Sequence, residues 1–321
     1  MAYQGADGLS APYPDFVADE LAVQPPSNLW RDTAKNILRQ RNSIIGLIMV
    51  SFLVLIAIFA EALAPFPPNQ SMLDVGETGV SRGDPPCIHL LGCPEDQPQH
   101  IMGLDSNLRD VFSRVLHGSR ISLWIGFFTV GMSIVIGTVI GLIAGYAGGS
   151  SDNVLMRLMD VILSFPSLLL AIIIVSVLGP GLLNAQLAIA IVAIPVYARV
   201  MRSAVLSIRE QDYVTASRAL GESPRGLLFR RILPNSLTPL IVAGTLGIAT
   251  AILEVAALSF VGLGAQPPLA EWGSMIALER NLVFSAPHLI MFPGIAITIT
   301  VLAFNLIGDG LRDALDPRLN R

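Results

Sequence analysis

The side chains able to do chemistry are few and far apart in this chain. Lysine occurs once among the 20 basic residues, as Lys35, in the context Arg31-Asp-Thr-Ala-Lys35-Asn36. A Walker A loop needs Gly-x4-Gly-Lys-Ser/Thr, so that backbone N–H groups cradle the phosphates and the lysine reaches them. Lys35 has no such glycine frame, so a P-loop ATPase is not written in this sequence. The four histidines lie outside the apolar runs or at their ends; His100, His117 and His288 read as scattered polar surface, and His89 stands between the cysteines. None of those runs holds a Ser/His, paired-Asp or His-Glu-x-x-His set. Glu254 lies deep in an apolar run, where a carboxylate is costly unless it faces a cavity or finds a partner. It reads either as a group lining or gating a pathway or as a paired structural carboxylate. The two cysteines stand close together, as Cys87 and Cys93. They leave open a local disulfide, a pair of free thiols, or a metal site with His89, although the spacing matches no strong zinc signature.

The elements that must position these residues follow from composition. Hydrophobic residues make up 53% and charged residues 14%, with a mean hydropathy of +0.64. A soluble domain needs about a quarter charged residues to cover its surface, so this chain does not read as soluble, disordered, collagenous or coiled-coil. The apolar residues come in long runs and not in period-2 alternation, which argues against a transmembrane β-barrel. A net charge of −4 and a pI of about 5.6 give no reason to expect nucleic acid as a partner. The fold class is an all-α polytopic membrane protein whose first partner is the lipid bilayer.

A bilayer core of about 30 Å needs about 20 apolar helical residues. Six segments fit, near Ile44–Leu63, Ile121–Gly145, Leu158–Leu178, Leu182–Ala198, Leu237–Val261 and His288–Ile307. Pro195 predicts a kink in the fourth. The first is no cleaved signal peptide, since it begins behind a polar arm and Glu61-Ala-Leu-Ala-Pro65 is a poor cleavage site. An even number of spans places both termini on one side. On the opposite side fall Arg82, Arg109, Arg114, Arg120 and Arg280, only five of the 20 basic residues. By the positive-inside rule both termini are cytoplasmic.

Residues 1–28 are a flexible cytoplasmic arm, 29–43 an interfacial helix and 44–64 the first span. Residues 65–118 form an external loop carrying an amphipathic helix through Leu108, Val111, Phe112, Val115 and Leu116, capped by Asp105. Residues 119–309 hold five further helices, and 310–321 are a cytoplasmic tail. Ser133, Gly137, Gly141 and Gly145 place small residues every four positions, which lets two helix backbones approach, within this chain or at a partner. Arg157 with Asp160, and Asp309 with Arg312, have helical ion-pair spacing.

The cytoplasmic connection 209–234 is the most informative. Asp212 can cap a helix that Gly221 ends, and Ser223 can cap a second helix with Pro224 as its first residue. Leu227, Leu228, Arg231 and Ile232 continue at helical spacing. Two short helices meeting at a Gly-Glu-Ser-Pro turn make a built docking element a better reading than a solvated basic loop that merely sets topology.

This stretch resembles the coupling loop of bacterial ABC importer permeases, whose pattern is Glu-Ala-Ala-x3-Gly, a spacer, then Leu-Pro. Thr215, Ala216 and Ser217 stand in the Glu-Ala-Ala place, Gly221 at the glycine, and Leu233-Pro234 at the close; Thr215 departs from the usual glutamate. Further matches point to the dipeptide/oligopeptide/nickel group, most similar to the C-type permease subunit of dipeptide importers. They include Gly103-Leu-Asp-Ser, Arg109-Asp110, Ser113-Arg114, Gly145-Tyr-Ala-Gly-Gly149, Gly264-Ala-Gln-Pro-Pro268, Glu271-Trp272-Gly273 and Asn305 to Pro317. The group's Gly-Arg-Asp is Leu108-Arg109-Asp110 here, and the segment of Cys87 and Cys93 looks like an addition.

The resemblance implies a type I ABC importer transmembrane domain that forms half of a translocation pathway and carries no catalytic residue, metal or cofactor of its own. It implies a second homologous permease, two ATP-binding subunits that hold the ATP and Mg, and an external substrate-binding protein. It places the ATPase-coupling surface at Tyr213, Thr215, Ala216, Ser217, Arg218, Gly221, Pro224 and Pro234, and the chain in a bacterial inner membrane. Di- or oligopeptides are the expected solute, with nickel or glutathione as alternatives. A different class, the stand-alone ion-coupled secondary transporter, would show internal repeats and several intramembrane ionisable groups. The sequence offers no clear repeat and only Glu254 at depth.

Overall fold

The computed structural model describes residues 40–94 and 96–315. The arm 1–28, the interfacial helix as far as residue 39 and the last residues of the tail lie outside the described residues. Among the described residues, besides short 3-10 turns at Met72–Val75, His89–Leu91 and Arg280–Leu282, there are nine main helices: α1 Arg41–Leu63, α2 Val111–Ala147, α3 Gly149–Leu163, α4 Ser167–Leu178, α5 Leu182–Arg209, α6 Asp212–Ala219, α7 Pro224–Phe260, α8 Trp272–Glu279 and α9 His288–Leu315. Among the described residues, extended pairing is limited to isolated bridges in the segment between α1 and α2.

Side-chain contacts fix the directions of the helices. Gly137 lies against Tyr197, Gly141 against Ala198 and Met201, and Gly145 against Val205, so α2 and α5 run parallel. The residues between them must therefore return across the molecule. They do so as α3 and α4, which meet at a 90° bend, and Gly181 N–H beyond α4 donates to Leu263 O at 3.0 Å. Neither piece crosses alone: the 12 residues of α4 span about 18 Å. Counting the bent pair as one crossing gives six. Arg120 near the start of α2 donates to the carbonyls of Ala57 and Ile58 near the end of α1. The other end of α1 meets the end of α9, where Ser43 lies against Gly310. Arg41 and Leu315 thus share the end of the molecule at which α6 lies.

Five features differ from the sequence reading. There is no separate amphipathic helix before the second span. α2 is one helix of 37 residues, and its cap is Asp110, whose side chain accepts from Ser113 N–H at 2.7 Å. Asp105 instead organises the turn before it, accepting from Asn107 and Arg109 N–H and pairing with the Arg109 guanidinium at 2.7 Å. The third span is not straight, because Pro166 disfavours the helical conformation at Phe165 and cannot donate to the ladder. The fourth span runs through Pro195 to Arg209 as one helix. The second helix of the 209–234 connection is the first part of α7, continuous with the fifth span. The sixth likewise continues to Leu315, past the start assigned to the tail.

Packing divides the helices into a core and a rim. α5 is the most buried candidate span and α1 and α9 the least. The main cluster joins Leu123, Val130, Tyr197, Met201, Val205, Leu240, Ile252 and Phe304. Ile48, Phe52 and Ile58 of α1 are more than half exposed, as suits a lipid-facing helix. The stripe of small residues on α2 serves this internal packing. A Cβ on Gly141 would collide with Ala198 O, and Ser133 Oγ donates to Ala190 O at 3.0 Å. The expected pair within α3 gives way to ties between α3 and α5: Asp160 binds Arg199 at 2.5 Å and Asp152 binds Arg202 at 2.5 Å. No Asp309–Arg312 bridge forms among the described residues.

At the opposite end, α8 locks against α2 and α7. Glu271 caps it by accepting from Gly273 and Ser274 N–H, both at 2.8 Å. Burial pushes the Glu271 carboxyl above its ordinary range, against the pull of those two donors. Trp272 Nε1–H donates to Val115 O at 3.0 Å, and Gly273 sits where a side chain would strike the Ala256 backbone.

Candidate functional site

The coupling-loop residues assemble into one compact turn. α6 starts at Asp212, but its capping position is Gln211, so Asp212 is not the cap. Its last turn closes as a paired C-terminal motif: Gly221 N–H donates to Arg218 O and Glu222 N–H to Ser217 O, both at 3.1 Å. That motif needs a left-handed residue, and Gly221 has φ +82°. Ser223 Oγ then accepts from Gly226 N–H at 3.2 Å, with Pro224 as first helical residue. Tyr146 of α2 reaches across to Pro224 O at 3.3 Å.

The two arms of the turn are tied together. Asn235 Nδ2 donates to Tyr213 Oη at 3.3 Å, and Glu222 pairs with Arg231 at 3.2 Å. Val214, Leu227 and Ile232 are buried beneath. Leu227–Ile232 winds as a π-helix. Pro234 supplies no N–H to the carbonyls behind it, which is a sufficient reason for the ladder to rewind there. Side chains fill the gap: Asn235 Nδ2 donates to Arg231 O at 2.6 Å and Ser236 Oγ to Ile232 O at 2.8 Å.

On the outer surface Tyr213, Thr215, Ala216, Arg218, Gly221, Pro224 and Pro234 are exposed and Ser217 half-buried. The structure adds two residues that sequence reading missed. Leu220, next to Gly221 in the chain, is 89% exposed, and Phe229, in the helix after the turn, is 58% exposed. Both are large apolar side chains held out on an otherwise charged turn. Their signal was available in the sequence, as apolar residues on either side of a predicted turn.

Glu254 stands elsewhere, in the wall of a cavity of about 410 Å³ between α2, α5, α7 and the α3–α4 bend. It accepts from Ser167 Oγ, the first residue of α4, at 3.2 Å. Phe165, Tyr197 and Thr250 also line the space. The sequence marked Glu254 but not its neighbours, because their convergence depends on the bend at Pro166. α7 is unbroken from Pro224 at the turn to Glu254 at the cavity.

The third group of residues forms the segment between α1 and α2. Cys87 and Cys93 are joined in a disulfide, with Cα atoms 5.4 Å apart. Cys87 N–H donates to His100 O at 2.8 Å. His100 does not lie on the surface, contrary to the sequence expectation: it is 3% exposed, with Nδ1 3.2 Å from Asp110 and Nε2 3.1 Å from Glu77. Burial alone would lower its pKa, but the hydrogen bonds to the two carboxylates outweigh burial and raise it. His288 is also buried, while His117 is half-buried and contacts Ser113 O at 2.9 Å.

The chain is similar to known proteins over most of its length. Residues 137–321 match the family described as binding-protein-dependent transport system inner membrane component. Residues 28–77 match the N-terminal TM domain of oligopeptide transport permease C. The dipeptide transport system permease protein DppC of Alkalihalophilus pseudofirmus is 43% identical over 99% of both chains. The glutathione transport system permease protein GsiD of Pectobacterium atrosepticum is 42% identical over 90% of this chain and 91% of that one. Among solved structures, an inward-facing form of the MetNI methionine ABC transporter matches with TM-score 0.52 at 21% identity, over 63% of this chain and 96% of that one. That likeness concerns the fold.

Proposed function

We propose that this chain, which belongs to the binding-protein-dependent transport system inner membrane component family and is a permease subunit of an ABC importer, admits short peptides and is driven through the turn at Gly221. Similarity to permeases named for dipeptides, di/tripeptides and glutathione, itself a tripeptide, supports a peptide solute. The α6 end, Arg41 and Leu315 face the cytoplasm, where two ATP-binding subunits supply hydrolysis. A second permease completes the path, and a binding protein delivers solute at the other end. ATP and Mg bind the partner subunits.

The observation that carries the mechanism is the continuity of α7. One helix bears the docking turn at its start and a cavity wall near its end. Helices are stiff along their axes, so a partner that displaces Leu220, Gly221 and Phe229 tilts α7 as a lever. α6 follows directly on α5, so the same push reaches two walls of the cavity. The π-helical stretch and Pro239 give α7 places to flex. The ion pairs Asp152–Arg202 and Asp160–Arg199 make α3 follow α5.

The substrate assignment is tested by reconstituting the complete transporter in proteoliposomes and measuring ATP-dependent uptake from a panel of dipeptides, longer peptides, glutathione and Ni²⁺. Dipeptide uptake is the expected result. Uptake confined to Ni²⁺, or uptake driven by a proton gradient without ATPase subunits, would contradict it.

A further inference from the structure

We infer that Glu254 is the group in the cavity that receives the terminal ammonium of a peptide in transit, an inference that rests on the peptide-import reading. The space, about 410 Å³, lies in the size range of small-ligand sites, about 300–1,000 Å³. Among the described residues lining it, Glu254 alone is charged; Thr129, Ser167, Tyr197 and Thr250 add hydroxyls to apolar walls. One carboxylate oxygen accepts from Ser167, and the other takes no hydrogen bond from the described residues. The α3–α4 break puts irregular backbone at this wall, which in a membrane is tolerated where it is buried in protein or lines a cavity.

The alternative cation is a transition metal, and the chemistry disfavours it. Such ions take several protein ligands and, for nickel, prefer imidazole nitrogen. No group of three His, Cys, Asp or Glu able to hold a metal occurs among the described residues. An organic ammonium needs a single carboxylate and a few hydroxyl acceptors, and the apolar walls suit the variable side chains of a peptide.

The test must be independent of the selectivity of the binding protein. Thr250→Cys, one helical turn from Glu254, places a thiol in the cavity of the assembled transporter, and Val196→Cys provides a second site should the first not assemble. The reaction rates of positively charged aminoethyl and negatively charged sulfonatoethyl methanethiosulfonate are compared, each relative to free cysteine. A cation preference of about tenfold is expected with Glu254 present, falling to near unity with Glu254→Gln. A dipeptide with a free amine should slow the aminoethyl reaction, whereas its N-acetylated form and Ni²⁺ should not. A charge ratio indifferent to Glu254→Gln, or equal protection by the N-acetylated peptide, would overturn the inference. Peptide uptake by the wild-type complex, scored in the same vesicles, separates the two claims. Its absence strikes the peptide-import reading, while uptake with an indifferent ratio strikes only the role of Glu254.

Discussion

His100 ties three segments with one ring. It bonds Asp110 at the start of α2 and Glu77 beyond α1, and its carbonyl holds the disulfide segment at Cys87. Its pKa is raised above the ordinary 6.5, so the protonated ring favours the folded arrangement. That stabilisation is complete below about pH 6.5 and is lost as pH rises through the raised value. Hydrogen exchange at the Cys87 amide should therefore quicken, beyond the intrinsic change in rate, only above about pH 6.5, as the pH rises through the raised value. His100→Gln should flatten that excess, and a retained excess in the variant would remove His100 as its source. The sequence could not show this triad, because its members are separated by a turn and a disulfide loop. The cysteine pair was more legible. Intact mass under non-reducing conditions should be two hydrogens lighter than the reduced chain. Replacing both cysteines by serine should cost roughly 2 kcal/mol at most, since so short a loop removes little chain entropy.

At the scale of elements, the parallel pair α2 and α5 is the frame against which the rest is set. Gly141 lets the two backbones touch, and any side chain there meets Ala198 O and Met201. Gly141→Leu should destabilise the bundle by about 1–3 kcal/mol, seen as a lower unfolding temperature of the purified complex and reduced yield. Gly131, with open space around a would-be Cβ, should tolerate Ala as a control. Hydropathy revealed where the spans lie, because about 20 apolar residues in a row admit few other structures. It did not reveal their ends. α2, α5 and α9 run on through polar residues such as Arg114, Arg202 and Arg312, whose partners or solvent exposure are set by tertiary packing. Nor did it show the α3–α4 bend, since Pro166 inside an apolar run is compatible with a kink or a break, and packing decides between them. The Gly221 turn was legible in its left-handed glycine and its Ser223 cap, because these are local chemistry, whereas the capping position assigned to Asp212 falls to Gln211. The π-helical join into α7 was not, being a consequence of Pro234 acting on a ladder already formed.

For the whole molecule, orientation and coupling are the claims that matter. In a background lacking Cys87 and Cys93, a cysteine at Ser10 or Arg318 should be shielded from an impermeant thiol reagent in intact cells. One at Pro68 or Pro268 should react, and labelling of the Ser10 site from outside would invert the proposed orientation. The proposed coupling runs from the turn through the continuous helix α7 to the cavity. A Cβ on Gly221 would meet nothing within 4 Å, so within this chain a substitution there acts through the backbone. A β-branched residue at φ +82° costs about 1 kcal/mol or somewhat more and reshapes the turn. Ala216→Arg should act similarly by adding bulk and charge to the contact surface, and Thr215→Ala should be milder. The most direct measurement is the ratio of peptide imported to ATP hydrolysed by the reconstituted transporter carrying Gly221→Val, with all subunits present in wild-type amounts. The expected result is an uptake at least about tenfold lower, about 1.4 kcal/mol of coupling, with the bundle intact. Hydrolysis either continues without transport or falls because the ATPase docks poorly. Normal uptake at a normal ratio would contradict the assignment of this turn as the element through which the importer is driven.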